Sequence, residues 1–380
     1  MEALILGWYV LTTTGSVEWL VAFGALMWAG AVFSPFLGIL GDRIGLRALL
    51  CITRGGYAVL AGILTALTLT GALVPWHVFA IYGVAGLMRP SDQAMRNVLI
   101  SQTLRSEALM GAMGLSRTTG DMAKVAGAFA GAGGVALIGM GPAYVIVTVL
   151  YATAFVLSLG VARSPRHESH VHDVLVNLKE AARYLWTKPD LLGALSIAFL
   201  VNLLAYPFFL GLLPYAAKEV YDIGQSGLGY LAAAFAFGSL AGSLVVGANY
   251  IPLRAGRVML GGATLWFLGV LLYGQTRSLP FGLGLLFITG FVQSFCMIPL
   301  VVVLLRGASP EMRGRVMGMR VLAIWGLPIG LLATGPVIEH IGYAACTALY
   351  AGLGLAATVA IGYGWRGALW HRSAQANSPN

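Results

Sequence analysis

Apolar stretches of bilayer-spanning length follow one another along almost the whole of this 380-residue sequence, and that succession limits its fold more than any other feature. A hydrocarbon core about 30 Å thick takes about 20 residues of helix to cross. The stretches run 1–14, 17–40, 48–71, 76–98, 107–138 and 141–162, then 191–216, 224–247, 255–275, 280–305, 315–337 and 342–366. Backbone inside lipid must satisfy its own hydrogen bonds, which admits only helices and closed barrels. Leu-, Ala- and Gly-rich runs without two-residue alternation belong to helices. Only 10% of the residues are charged and the mean hydropathy is +0.84. Soluble proteins carry about 25% charged residues, so water cannot be the main solvent of this surface. The sequence predicts an all-α membrane protein of twelve spans: a six-helix bundle at 1–162, a linker at 163–190, a second six-helix bundle at 191–366 and a tail at 367–380.

The formal net charge of +9 does not point to nucleic acid, because the charge is distributed by the spans. Alternate connections hold Arg43, Arg47, Arg96, Arg105, Arg254, Arg257, Arg306, Arg313 and Arg315. The linker adds Arg163, Arg166, Lys179, Arg183 and Lys188, and the tail adds Arg366 and Arg372. The opposite connections hold Lys218 and Arg277. Such asymmetry places the cation-rich side, with both termini and the linker, in the cytoplasm. Cys51, Cys296 and Cys346 lie in separate apolar stretches and read as small hydrophobes, without the spacing of a disulfide framework or a metal site. The stretch 1–14 is short, since its helical rise of about 21 Å does not reach across the hydrocarbon core. The expectation is that the first helix begins upstream of Met1 and that its opening turns are missing from the sequence; the competing reading is a short first helix that tilts little and thins the bilayer.

Between the second and third stretches the chain reads Gly38-Ile-Leu-Gly41-Asp42-Arg43-Ile-Gly45-Leu46-Arg47-Ala-Leu-Leu50. Glycines allow close helix approach and a tight reversal. A carboxylate there can cap a helix and pair with a cation, a latch that one conformational state makes and another breaks. This segment resembles the signature loop of the major facilitator superfamily, G-x-L-x-D-R-x-G-R-[RK]-x-x-L. Leu46 stands where the family usually has arginine, which leaves Arg43 and Arg47 as the cations. The matching segment of the second half, Gly242 to Arg257, keeps its glycines and Arg254 but has no acidic residue. Asn202-Leu-Leu-Ala-Tyr-Pro207 with Leu213-Pro214 is similar to span seven of the enterobactin-exporter-like branch, the transmembrane secretion effectors. Pro310-Glu-Met-Arg-Gly-Arg-Val-Met317, followed by Pro328-Ile-Gly330, is similar to span eleven of that branch. The resemblance implies the major facilitator fold, a functional monomer and a place in the bacterial inner (plasma) membrane.

Ionisable residues inside spans are costly and therefore candidates for function. Arg117, Asp121 and Lys124, spaced i, i+4, i+7, share one face of span five, and Arg89, Asp92 and Arg96 share one face of span four. Asp121 is a candidate proton-coupling carboxylate, although two flanking cations would lower its pKa and suit an ion-pair ladder as well. The latch set is Gly38, Asp42, Arg43, Gly45, Arg47, Asp92 and Arg96. The candidate coupling and substrate cavity comprises Arg89, Arg117, Asp121, Lys124, Asn202, Tyr206 and Gln293. Gly120, Gly127, Gly131, Gly133 and Gly134 on span five fit close helix packing.

His167, Glu168, His170 and His172 read as a solvated loop; they lack the fixed spacing of a metal site. From Val171 to Lys188 apolar residues recur at helical spacing among cations, which predicts an amphipathic helix on the inner leaflet. No Walker sequence, H-E-x-x-H or G-x-S-x-G is present, so neither ATP use nor an enzyme is expected, and no cofactor. The expected function is export of a small amphipathic molecule, a siderophore-like metabolite or drug, by alternating access with protons as the coupling ion. The competing readings are a lipid or lysophospholipid carrier and a transport-inactive receptor or scaffold.

Overall fold

The computed structural model describes residues 1–30, 44–103, 119–120, 122–131, 134–135, 138–161, 174–247, 255–309 and 312–367, with backbone alone at 46, 90–103 and 174–178. The described residues are almost entirely helical. The first half contains α1 (Glu2–Thr14), α2 (Val17–Ala29), α3 (Leu46–Leu69), α4 (Pro75–Thr103), the helical stretch 122–131 and α5 (Met140–Leu159). Then come α6 (Val174–Trp186), α7 (Pro189–Leu204), α8 (Tyr206–Leu210) and α9 (Leu213–Tyr215), which runs into a π-helical turn at Ala216–Val220. The rest is α10 (Gln225–Gly247), α11 (Ala255–Gln275), α12 (Leu279–Gly307), α13 (Arg313–Leu322), a 3₁₀ turn at Ala323–Trp325, α14 (Gly326–Ile341) and α15 (Tyr343–Gly364). Among the described residues seven helical runs are long and apolar enough to cross a membrane: α3, α5, α10, α11, α12, the run Arg313–Ile341 and α15.

The connections at one end of the bundle are tight because glycine supplies a backbone that other residues rarely adopt. Gly15 ends α1 in the left-handed region at φ 68°, and Ser16 caps α2 by accepting from the Glu18 N–H at 3.2 Å. Gly139 before α5 and Gly342 before α15 share nearly the same backbone, φ 82° and ψ 167° against φ 82° and ψ 166°. The turn into the last helix of each half is thus built twice. This end is the Gly15 face. At the opposite end, the Arg47 face, Arg47 donates to the Leu159 carbonyl and ties α3 to α5.

Span seven was expected as one stretch, 191–216, and is broken into α7, α8 and α9. Pro207 and Pro214 cannot donate backbone hydrogen bonds, so the helix is interrupted at Ala205 and again near Leu212. The predicted linker helix is α6, which meets α7 at a bend of 114° and so lies across the end of the second half. Its described residues also meet protein. Ala181 and Leu185 are buried, Glu180 pairs with Arg315 of α13 at 2.7 Å, and the Tyr184 hydroxyl accepts from the Ser309 N–H at 3.1 Å. Trp186 projects outward, 75% exposed.

Two apolar cores result. Ile5, Phe23, Leu64, Val78 and Tyr144 anchor the first, and Phe208, Met259, Trp266, Phe267 and Leu300 anchor the second. Helices cross at glycines: Gly86 lies against the backbone of α2 at Leu26, and Gly290 against that of α10 at Phe235, neither with room for a Cβ. Large apolar side chains such as Val59, Leu157, Leu265, Phe281 and Val359 face outward. Such a surface is at home only in lipid.

Candidate functional site

Polar groups enclosed within the first half converge on Glu2. The Tyr151 hydroxyl of α5 donates to Glu2 Oε2 at 2.8 Å. The Tyr151 ring stacks on Tyr57 of α3, centroids 5.5 Å apart, and the Tyr57 hydroxyl donates to the Ala85 carbonyl of α4 at 3.3 Å. Arg89, one turn further along α4, lies within electrostatic reach of Glu2, Tyr57, Tyr82 and Tyr151, and its guanidinium stands 5.9 Å from the Trp28 ring of α2. Five helices therefore contribute to one cluster containing a carboxylate, a guanidinium and hydroxyls.

The second half carries a polar pair at the same depth. Arg89 is fourteen residues beyond the first residue of α4, Pro75, and Gln293 is fourteen beyond the first residue of α12, Leu279 (89 − 75 and 293 − 279). At a helical rise of 1.5 Å per residue both sit roughly 21 Å from their helix starts. Gln293 Nε2 donates to the Tyr206 hydroxyl at 2.6 Å, and the Tyr206 ring meets Trp266 edge-on at 4.8 Å. Tyr206 reaches this position because span seven breaks just before it. Trp28 Nε1, Gln293 Oε1 and Trp325 Nε1 are buried without a hydrogen-bond partner among the described residues. Two indole donors and an amide acceptor are thus available to a bound polar group.

The halves meet along a seam toward the Gly15 face. Gly7 packs against Pro214, Gly24 against Leu331 and Gly211, and Gly335 against Val21. The free space left there, among Leu20, Phe23, Phe209 and Pro214, is about 20 Å³, room for about one water molecule. From the helical stretch 122–131, Phe129 packs on Tyr230 and Phe237 of α10, at 6.3 and 5.9 Å. Among the described residues the seam leaves no wider opening than this space on that side.

The sequence-derived candidates fall into several groups. Tyr206 and Gln293 are brought together, and Arg89 enters the Glu2 cluster. Asn202 is buried, donates to Ala198 O of its own helix at 2.8 Å and lies against Gly326 of α14, so it fills a helix contact. Gly45 precedes α3 with φ 93°, Arg47 is bound to Leu159, and Lys124 is exposed on the stretch 122–131. Gly38, Asp42, Arg43, Arg117, Asp121 and the histidines of 167–172 lie outside the described residues, as do the side chains of Asp92 and Arg96. Gly127 and Gly131 do serve close packing, both against Met1, which precedes α1. Glu2 was missed by sequence reasoning. Its signal was a carboxylate in an apolar helix, twelve residues before its end at Thr14 (14 − 2), and so deep in the bilayer.

Charged and polar residues enclosed at mid-membrane, in two helical halves that join along a seam, define a polytopic membrane carrier. A sequence profile of the Major Facilitator Superfamily matches residues 3–333, and the chain belongs to that superfamily. Its structure is similar to a variant of the nucleoside transporter NupG, with 17% identity, TM-score 0.69, and 96% of this chain and 94% of that chain covered. It is also similar to a D-xylose-proton symporter, with 13% identity, TM-score 0.71 and 94% of each chain covered. The human organic anion transporter MFSD10 (TETRAN) matches at 17% identity, TM-score 0.61, over 91% of this chain and 83% of that one. At these identities the likeness is one of fold. Comparison with curated proteins gives no match.

Proposed function

We propose that this transporter exports a small amphipathic molecule, of siderophore-like metabolite or drug type, by alternating access coupled to protons. The observation that carries the reading is the Glu2–Tyr151 hydrogen bond beside Arg89. A carboxylate held mid-bilayer can take up and release a proton, and a neighbouring guanidinium can exchange it as a partner between states. Substrate sits between the halves near Trp28, Trp325 and the Tyr206–Gln293 pair, whose indoles and amide suit a molecule with an aromatic or apolar body and polar edges. The closed seam on the Gly15 face is one gate, and the Asp42, Arg43, Arg47, Asp92 and Arg96 latch is the other. The cation-rich Arg47 face is cytoplasmic by the positive-inside rule, and the protein works as a monomer. Export as the direction is supported by the resemblance to the enterobactin-exporter-like branch at spans seven and eleven.

The test is proton-driven accumulation in inverted membrane vesicles over a panel of amphipathic metabolites and drugs. Glu2→Gln is expected to abolish accumulation against a gradient while leaving substrate exchange. Asp121→Asn, measured alongside, addresses the other candidate carboxylate. Full accumulation by Glu2→Gln together with its loss in Asp121→Asn would move the coupling role to Asp121. If no member of the panel moves in any form of the protein, the exporter reading gives way to that of a receptor or scaffold.

A further inference from the structure

Away from the seam, α11 and α15 run side by side and leave a groove of about 540 Å³ open to the membrane. Its two ends differ in chemistry. On the Arg47 face its mouth carries Arg257, two residues into α11, and Arg366, two residues past α15. Toward the bilayer interior its walls are Leu260, Gly261 and Val359. Tyr363 lies at the mouth, 71% exposed, with the Arg366 guanidinium 4.9 Å from its ring centroid. A tyrosine at the level of lipid headgroups is a common interfacial anchor, and its ring here orients the guanidinium.

Three further observations narrow the occupant. The sequence has no Asp or Glu in 251–307 or in 340–380, so neither helix of the groove, nor α12 beside them, supplies a carboxylate. The N-terminus of the 21-residue α11 opens at the same mouth, and its dipole adds to the attraction for an anion. Gly261 keeps the wall open: no atom lies within 4 Å of where a Cβ would stand. Val359, beside it, is 64% exposed on the outward surface. A cationic mouth above an apolar trough open to lipid fits an anion that carries a hydrocarbon chain. Inorganic phosphate would engage the mouth and leave the trough unused.

We propose that this groove is a binding site for one acidic phospholipid of the leaflet on the Arg47 face. The headgroup phosphate sits between Arg257 and Arg366, and one acyl chain runs along Leu260, Gly261 and Val359. The site is separate from the seam and independent of what the protein transports. An arginine near the membrane surface contributes about 1 kcal/mol to binding an anionic lipid, so losing both should weaken binding roughly 30-fold.

The experiment is native mass spectrometry of the full chain in a neutral detergent, titrated separately with phosphatidylglycerol and phosphatidylcholine of the same acyl chains. Two variants accompany it, Arg257→Gln/Arg366→Gln and Gly261→Leu, each checked for a monodisperse, helical protein. The second fills the trough without altering charge and meets no neighbour at its Cβ. The expected result is preferential retention of phosphatidylglycerol, weakened roughly 30-fold in the double arginine variant and also weakened in Gly261→Leu. Equal binding of the two lipids overturns the proposal, and so does retention that neither variant changes. Displacement of phosphatidylglycerol by millimolar inorganic phosphate would make the mouth a plain anion site and overturn the lipid assignment.

Discussion

Replacing both Glu2 and Arg89 by Gln should destabilise the protein less than the sum of the two single changes. The Glu2 carboxylate accepts a hydrogen bond from Tyr151 at 2.8 Å and lies within electrostatic reach of the Arg89 guanidinium. Removing one of two opposite charges enclosed in the membrane takes away the field that favours the other, even without a direct ion pair. Removing both charges with Glu2→Gln/Arg89→Gln leaves two neutral amides, one of them still beside the Tyr151 hydroxyl. Residues coupled in this way show interaction energies of about 0.5–3 kcal/mol. Tyr151→Phe provides the calibration, because a hydrogen bond to a charged group contributes about 1.5–3 kcal/mol. The assay is reversible unfolding of detergent-solubilised protein by dodecyl sulfate titration, followed by tryptophan fluorescence, for wild type, both single variants, the double variant and Tyr151→Phe. If the single changes add to within about 0.5 kcal/mol, Glu2 and Arg89 do not act on each other and the cluster as described here is wrong.

Two further outcomes follow from the seam and from α6. A Cβ at Gly335 would lie 3.0 Å from Val21 Cγ2, so Val21→Cys/Gly335→Cys is expected to form a disulfide on mild oxidation. Cross-linking should arrest transport in vesicles and reduction should restore it; full activity of the cross-linked protein would show that this seam does not open. For α6, Leu185→Ala should loosen the helix by about 2–5 kcal/mol, whereas Glu180→Gln should change little, since an exposed pair such as Glu180–Arg315 is worth about 1 kcal/mol or less. Proteolysis of the linker measures both, and equal sensitivity in the two variants would contradict the packing described.

Most of the architecture was legible in the sequence because bilayer length and hydropathy act on whole stretches. The ends of α3, α10, α11 and α15 fall within a few residues of the stretches read from composition. What composition could not give was local and geometric. The breaks in span seven required weighing Pro207 and Pro214 against an otherwise continuous apolar run. Membrane helices tolerate proline wherever neighbours satisfy the freed carbonyls, so its presence alone does not mark a break. Glu2 stands at the start of a helix, where a carboxylate ordinarily faces water, and only the packing of this chain start against Tyr151 and Gly131 distinguishes it from such a residue. For α6, periodicity identified the helix but not whether its apolar face meets lipid or protein. The burial of Ala181 and Leu185 shows that part of that face is turned toward protein.

The two halves repeat a backbone plan and depart from each other in chemistry at one level. Gly139 and Gly342 make the same turn, Gly86 and Gly290 hold the same kind of crossing, and Arg89 and Gln293 stand at the same depth. At that depth the first half carries Glu2 and Arg89, while the second carries Tyr206 and Gln293. An enclosed charge pair stores a large electrostatic energy and responds to a proton; a neutral amide–phenol pair does neither but can exchange its hydrogen bonds for those of a ligand at little cost. The inherited symmetry therefore supplies matching positions, and the side chains divide the work between them. On the mechanism proposed above, proton uptake falls to the first half and solute recognition to the second. On this division Gln293→Leu should impair substrate affinity while leaving unmoved the pH dependence of transport, which the proposal assigns to Glu2.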